Sequence, residues 1–433
     1  MNKERSRGIS VSPLLFEALI MRFSWTDIRL QTAGCSDMHR EIAGGVYFVG
    51  VDDHRTQLFE NLWALPHGVS YNSYLIVDDK IALVDAVKES WADEWLENIR
   101  EIVDPSRIDY IILNHMELDH TGALPHIARI ARNATLIYTP RASPMQKAFF
   151  DVSLKEKTVK DLDEISLGNK TLKFVHAQFL HWPETMMTYV VEDQVLFSCD
   201  AFGSYGALNG KIFDDESDMQ KIEKESKRYL SSIITSYLMF VRRGVEKVRK
   251  LGIAIKIVAP SHGPVYRNDP MWIISRYYEW SSPQFEKHVA IVYGTMYGYT
   301  HSLAVTLKDE LVAKGIEVRM HDVSQSEMSN IVTDTIRASV IALGTPTYDA
   351  YPFPRMQAFV NEMEGKRFPR RPLALFGTFG WGGGGIEKLQ KQLANMGFEI
   401  LEPVTRVHAR PSQQQKHDLV RLTDAIARKV SQD

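Results

Sequence analysis

From residue 288 onward, apolar strands and helical stretches alternate without interruption, and few folds accept that order. Strand HVAIVYG, helix 302–314, strand EVRMHDV, a helix near 330–337, strand VIALG, helix 356–363, strand PLALFG and helix 386–396 follow one another. Such units close into a parallel sheet with helices on both faces, because a parallel pair needs a crossover long enough to return to the same edge. The preceding half reads differently. Short strands VYFVGV, SYNSYLIV and KIALVDAV are separated by polar turns such as Asp78-Asp79-Lys80. A helical stretch at 91–102, a strand at 110–113, the strands TLKFVHA and QVLFSCD, a helical pattern over 218–251 and a strand at 255–258 complete it. With 433 residues, the chain exceeds what one compact core organises. The aromatic and polar stretch 267–283 is the expected joint. It divides the chain into an extension of unknown role at 1–40, a first domain at 41–285 and a second at 286–433.

Composition narrows the function classes. The formal net charge of −3 gives no basic surface for nucleic acid, and no apolar run is long enough to span a membrane. The start is basic and residues 14–21 are mostly apolar, but Glu17 interrupts them and no clean cleavage site follows, so a cytoplasmic protein is expected. Cys35 and Cys199 are the only cysteines, which excludes a thiolate-held iron–sulfur or rubredoxin centre.

The first half carries a dense set of metal-ligating residue types. His115, Glu117, Asp119 and His120 fall within six residues directly after an apolar strand, where a loop can turn all four inward. His181 in LHWPET, Asp200 in FSCDAFG and His262 in APSHGP each end a strand or open a loop. Seven nitrogen and oxygen donors are more than one ion can use, whereas two ions sharing a bridging carboxylate use them all. Cys199 is adjacent to Asp200, but strand alternation sends the two side chains to opposite faces. His67, His126 and His176 lie near these segments and are expected to be structural histidines or partners of the ligands.

The second half offers three strand-end loops. Thr295, Met296, Tyr297, Gly298, Tyr299 and Thr300 open a helix, where free N–H groups and the positive end of the helix dipole attract phosphate. The other two loops hold Thr345, Pro346, Thr347, Tyr348, Asp349, Ala350 and Tyr351, then Thr378, Phe379, Gly380, Trp381, Gly382 and Gly383. Glycines let backbone approach a ligand, and Tyr348 and Trp381 can cover an aromatic ring. A planar, singly phosphorylated cofactor fits; NAD is disfavoured because the first loop lacks GxGxxG.

The ligand order resembles the metallo-β-lactamase superfamily, with Glu117 where the usual loop has its second histidine, and that replacement marks the flavodiiron branch. The three later loops look like those of flavodoxins. The resemblance runs from about residue 45 to the end. It implies an αββα sandwich followed by a flavodoxin-like doubly wound sheet. It also implies that His115, Glu117 and His181 bind one iron, that Asp119, His120 and His262 bind the other, and that Asp200 bridges them. Thr295, Met296, Gly298 and Thr300 would hold the FMN phosphate, with 345–351 and 378–383 flanking the ring. The implied activity is reduction of dioxygen to water, or of nitric oxide to nitrous oxide. Electrons would come from an outside donor, rubredoxin or a reduced deazaflavin, in a head-to-tail homodimer or a tetramer built from it. After Phe202 the chain departs from many such relatives by lacking a histidine, which makes Tyr205 and its neighbours candidates for setting substrate preference. The alternatives are a metallo-hydrolase with a passenger flavodoxin domain, which Glu117 argues against, and an electron shuttle with a decayed metal site, which the intact ligand set opposes.

Overall fold

A computed structural model of the chain describes residues 39–432, so residues 1–38 of the extension, Cys35 among them, lie outside the described residues. Two sheets face each other in the first half. A seven-stranded sheet runs from Arg40–Ala43 through Tyr74–Val77, Ile81–Val84 and Ile108–Ile112 to Lys155–Thr158. A five-stranded sheet is built from Glu164–Ser166, Thr171–His176, Met186–Val190, Val195–Cys199 and Ile257–Pro260. Between them Phe48, Tyr74, Ile112, Phe174 and Phe197 form a closed core. Helices cover the outer faces, burying their own Trp95, Ile127, Val241, Val245 and Tyr277 there, which completes the αββα order. Strands Val195–Cys199 and Ile257–Pro260 are parallel neighbours, so the residues that follow them emerge side by side at one edge.

The second half is an all-parallel sheet in the order Glu317–Asp322, Glu286–Tyr293, Ala338–Tyr348, Pro372–Phe379, Glu399–His408, with the short strand Tyr351–Pro352 pairing antiparallel at its rim. That is the flavodoxin-like strand order, in which ligands sit outside the carboxyl ends of the strands. Helices Tyr299–Ala313 and Gln413–Gln432 cover one face, and Met328–Thr335, Pro354–Gly365 and Gly385–Asn395 the other. Among the described residues no helix is long and apolar enough to cross a membrane.

The stretch 267–283, the expected joint, is largely helical. Pro270–Trp280 is a helix, capped by the Asp269 side chain on the Trp272 N–H and with proline in its first turn, and it buries Ile273, Ile274 and Tyr277 in the first core. The helical pattern over 218–251 is also broken: Met219–Tyr229 passes through a π-turn at Leu230–Ile234 before Leu238–Leu251 begins. Strand Glu399–His408 and helix Gln413–Gln432 extend the alternation beyond the last element the pattern gave.

Candidate functional site

All seven candidate ligands meet at one edge of the sandwich. His115 and Glu117 follow strand Ile108–Ile112, and Asp119 and His120 lie in the single turn Leu118–Thr121. His181, Asp200 and His262 come from the loops that follow three strands of the other sheet. Donor atoms of His115, Glu117, His181 and Asp200 cluster within 4.8 Å of one another, as do those of Asp119, His120 and His262. Asp200 joins the two groups. Its Oδ2 lies 3.4 Å from both His115 Nε2 and His181 Nε2, while its Oδ1 lies 3.1 Å from His120 Nε2 and 3.5 Å from His262 Nε2.

A surrounding layer aims these groups. His115 Nδ1 donates to Glu184 Oε1 at 2.7 Å and His262 Nδ1 donates to the Ser70 carbonyl at 2.7 Å, so in each ring Nε2 is left to face the cluster. Glu184 Oε1 also accepts the Met116 N–H, and Tyr229 donates its hydroxyl to Asp200 Oδ1 at 2.8 Å. Asn114, next to His115, is fixed by Asp85 and by Thr188 of the opposite sheet. None of Glu184, Ser70 or Tyr229 was marked by the sequence. They lie far along the chain from the groups they orient, and no local spacing connects them.

The donor set fits a pair of cations. Both Asp119 oxygens, Asp200 Oδ2, His120 Nε2 and His262 Nε2 are buried and have no hydrogen-bond partner, although they crowd together. Groups that expensive to desolvate are normally paired or bound to metal. Burial alone would push Asp200 up, but His120, His181 and His262 outweigh it and hold its carboxyl well below the usual range. Burial likewise disfavours charge on His262 and His181, yet the facing carboxylates of Asp119 and Asp200 push His262 up to about 10, and those of Asp200 and Glu117 push His181 up to about 9. Three clustered carboxylates thus attract positive charge strongly, and metal ions would displace the protons.

The neighbouring histidines stay outside the cluster. His176 Nε2 bonds the Val159 carbonyl, His126 lies 3.9 Å from Glu89 and His67 is exposed. Cys199 is buried and belongs to neither donor group. Tyr205 packs edge-on to Tyr229 and Phe59, with the Arg228 guanidinium over its ring at 4.3 Å.

The flavodoxin-like half has a cavity of about 270 Å³ at the carboxyl ends of its strands. Thr295, Met296, Tyr297, Tyr299, Thr300, Pro346, Thr347, Thr378, Phe379, Gly380 and Trp381 line it. Gly298 caps the helix with a φ of +85°, and its N–H donates to Thr295 Oγ1; a side chain there would strain the turn. The Thr300 and Thr378 hydroxyls meet at 2.8 Å. Trp381 is 96% and Tyr297 86% exposed, aromatic surface that a planar ligand would cover. Thr345 is buried with its hydroxyl accepting the Phe353 N–H, and Gly298, Tyr348, Asp349, Ala350, Tyr351, Gly382 and Gly383 lie outside the cavity wall. Ala409, after the last strand, joins the wall and was not expected.

A two-domain redox enzyme, metal in one half and flavin in the other, is the class this fold and these sites define. A family described as ODP family beta lactamase matches residues 69–263, and the flavodoxin family matches 291–421. A nitric oxide reductase of Moorella thermoacetica is 34% identical, covering 90% of this chain and 98% of its own. An anaerobic nitric oxide reductase flavorubredoxin of Pectobacterium atrosepticum is 32% identical, covering 83% of this chain and 71% of its own. Among solved structures, rubredoxin oxygen:oxidoreductase of Desulfovibrio gigas superposes with a TM-score of 0.87 at 27% identity, covering 91% of this chain and 99% of its own. The flavodiiron protein of Giardia intestinalis gives 0.86 at 28%, with coverages of 91% and 97%. The chain belongs to the flavodiiron family; it is an oxidoreductase, and its cofactors are FMN and a pair of irons.

Proposed function

We propose that the chain reduces dioxygen to water, nitric oxide to nitrous oxide, or both, at an iron pair held by His115, Glu117 and His181 on one side and Asp119, His120 and His262 on the other. Asp200 would be shared between the two. The observation that carries this reading is the division of Asp200: one oxygen faces each donor group. Glu117 adds an anionic oxygen donor, which stabilises the higher oxidation states a redox iron must reach. The iron pair and the FMN together supply the electrons such a reduction consumes. Thr295, Thr300 and the backbone around Gly298 would take the FMN phosphate, with Thr347, Phe379 and Trp381 beside its ring. Anaerobic reduction followed by each gas in turn is the test: flavin reoxidation with water or nitrous oxide as product supports the reading, and inertness to both gases contradicts it.

The electrons are expected from an outside carrier, rubredoxin or a reduced deazaflavin, acting on a cytoplasmic enzyme. They are expected to cross between chains of a head-to-tail homodimer, or a tetramer built from it. Every residue lining the cleft at Glu117 and Asp119 comes from the first domain, and every residue lining the flavin cavity from the second. The domains of one chain meet instead through Lys227–Glu286, Arg228–Ser329 and Arg337 on the Ser282 carbonyl. Glu286 opens an eight-residue strand, which sets the loop at 294–300 roughly 25 Å away at about 3.3 Å per residue. A second copy can bring the two sites together. Mixed dimers of a metal-less variant (His115→Ala with Asp200→Ala) and an FMN-less variant should regain activity; proven heterodimers as inactive as their parents would place transfer within one chain.

A further inference from the structure

Gas reduction consumes protons as well as electrons: dioxygen takes four of each to give two waters, and two nitric oxides take two of each to give nitrous oxide and water. A carboxylate bound to metal is not free to carry a proton, so the donor must be another group in the cleft. The cleft holds about 640 Å³, and its titratable lining outside the ligand set is Glu60, Tyr71, Lys88 and Glu89. Lys88 is engaged by Thr56 Oγ1 at 2.9 Å and lies 4.0 Å from Asp53. Burial pushes the Tyr71 hydroxyl far above its ordinary range, and the Glu89 side chain is 77% exposed. Glu60 remains.

Its setting is built rather than incidental. Glu60 and Asn61 form the tip of the hairpin Leu58–Phe59/Trp63–Ala64, with φ of +51° and +55°, a region that non-glycine residues seldom adopt and that clusters at functional sites. On one side of the tip, Phe59 packs edge-on against His262 at 5.3 Å. On the other, the indole N–H of buried Trp63 donates to Glu60 Oε2 at 3.2 Å. The Trp63 ring is in turn covered by the ammonium of Lys366 at 4.6 Å, and Lys366 also donates to the Ser232 carbonyl. Lys366 belongs to the flavodoxin-like domain, so that domain props the wall of its own chain's iron cleft.

We propose that Glu60 is the proton donor of the iron cleft. In its neutral form the carboxyl breaks its O–H bond as an O–H bond forms on a substrate oxygen, and solvent at the hairpin tip returns the proton. Glu60 undergoes no redox change, since the electrons come from the outside carrier by way of the bound cofactors. The proposal rests on the gas-reducing reading above; failure of the unaltered protein to consume either gas would defeat that reading before Glu60 is tested.

The experiment compares Glu60→Gln, Glu60→Ala and Glu60→Asp in the full-length protein, after iron and FMN content and the anaerobic iron spectrum match the parent. Reoxidation by gas should slow by about 100-fold in the Gln and Ala variants. The Asp variant should keep most of the rate, and acetate buffer should partly rescue the Ala variant and not the Gln variant. Parent-like reoxidation in fully loaded Glu60→Gln overturns the proposal. So does slowing that neither Asp nor acetate relieves, which would mark a structural role. Should Glu60→Gln fail to load iron, Trp63→Phe decides, once its iron and FMN content match the parent: it leaves a smaller aromatic ring under Lys366 and deletes the N–H donated to Glu60. A drop of about 3–10-fold is expected there, and an unchanged rate with full iron overturns the proposal.

Discussion

At the iron cluster seven side chains converge from four loops, five of them buried, and a further layer of hydrogen bonds fixes which nitrogen faces inward. At the flavin cavity the wall is made of hydroxyls, glycine-permitted backbone and aromatic rings that are largely exposed. The first site concentrates charge that only metal ions can satisfy, so single side chains are decisive there. The second spreads recognition over many weak contacts, so single changes should be tolerated. Substitutions can break or sharpen that contrast.

The largest effect is expected from Asp200→Ala, which removes the carboxylate facing both donor groups. Iron content should fall at both positions and gas reduction by at least about 100-fold, as metal analysis and oxygen-electrode assays would report, while FMN is retained. Glu184→Gln comes next. The acceptor that orients His115 is weakened, and iron affinity measured by chelator competition should drop about 10–100-fold. At the flavin site Thr300→Val deletes one hydroxyl and should weaken FMN binding, followed by fluorescence, only about 2–10-fold.

The smallest effect belongs to the contact between domains. Partial burial pushes Glu286 up, but Lys227, His288 and Arg337 outweigh it and hold it below the ordinary glutamate range. A carboxyl whose folded-state pKa is lowered stabilises above its unfolded value and loses that contribution as pH falls through the folded value. Glu286→Gln should therefore lower the melting temperature at pH 7, by the equivalent of about 1 kcal/mol or less for a partly exposed pair. The gap should close below roughly pH 4. A gap that widened in acid would contradict the assignment.

The contrast also governs what was legible in the sequence. The iron ligands fall in four short segments at or just beyond the ends of apolar strands, so the seven could be read as a set before any geometry was known. Their partners could not: Glu184 is 69 residues from His115, and Ser70 is 192 from His262. The flavodoxin-like order was legible because apolar strands and helices alternate. Its last strand was not, because Glu402, Pro403 and Arg406 interrupt the apolar pattern of Glu399–His408. Helix Pro270–Trp280 carried its own signals, Asp269 and a first-turn proline, beneath aromatic residues that look like a joint until Ile273, Ile274 and Tyr277 are seen to be buried.

Metal analysis bears most directly on the central claim, that one carboxylate and two donor groups build a redox-active iron pair. Protein purified without oxygen, and again in air, should carry two irons and one FMN per chain, with a Mössbauer spectrum of two spin-coupled irons when oxidised. Two zincs with no iron under both conditions, or two magnetically independent irons, would contradict the account.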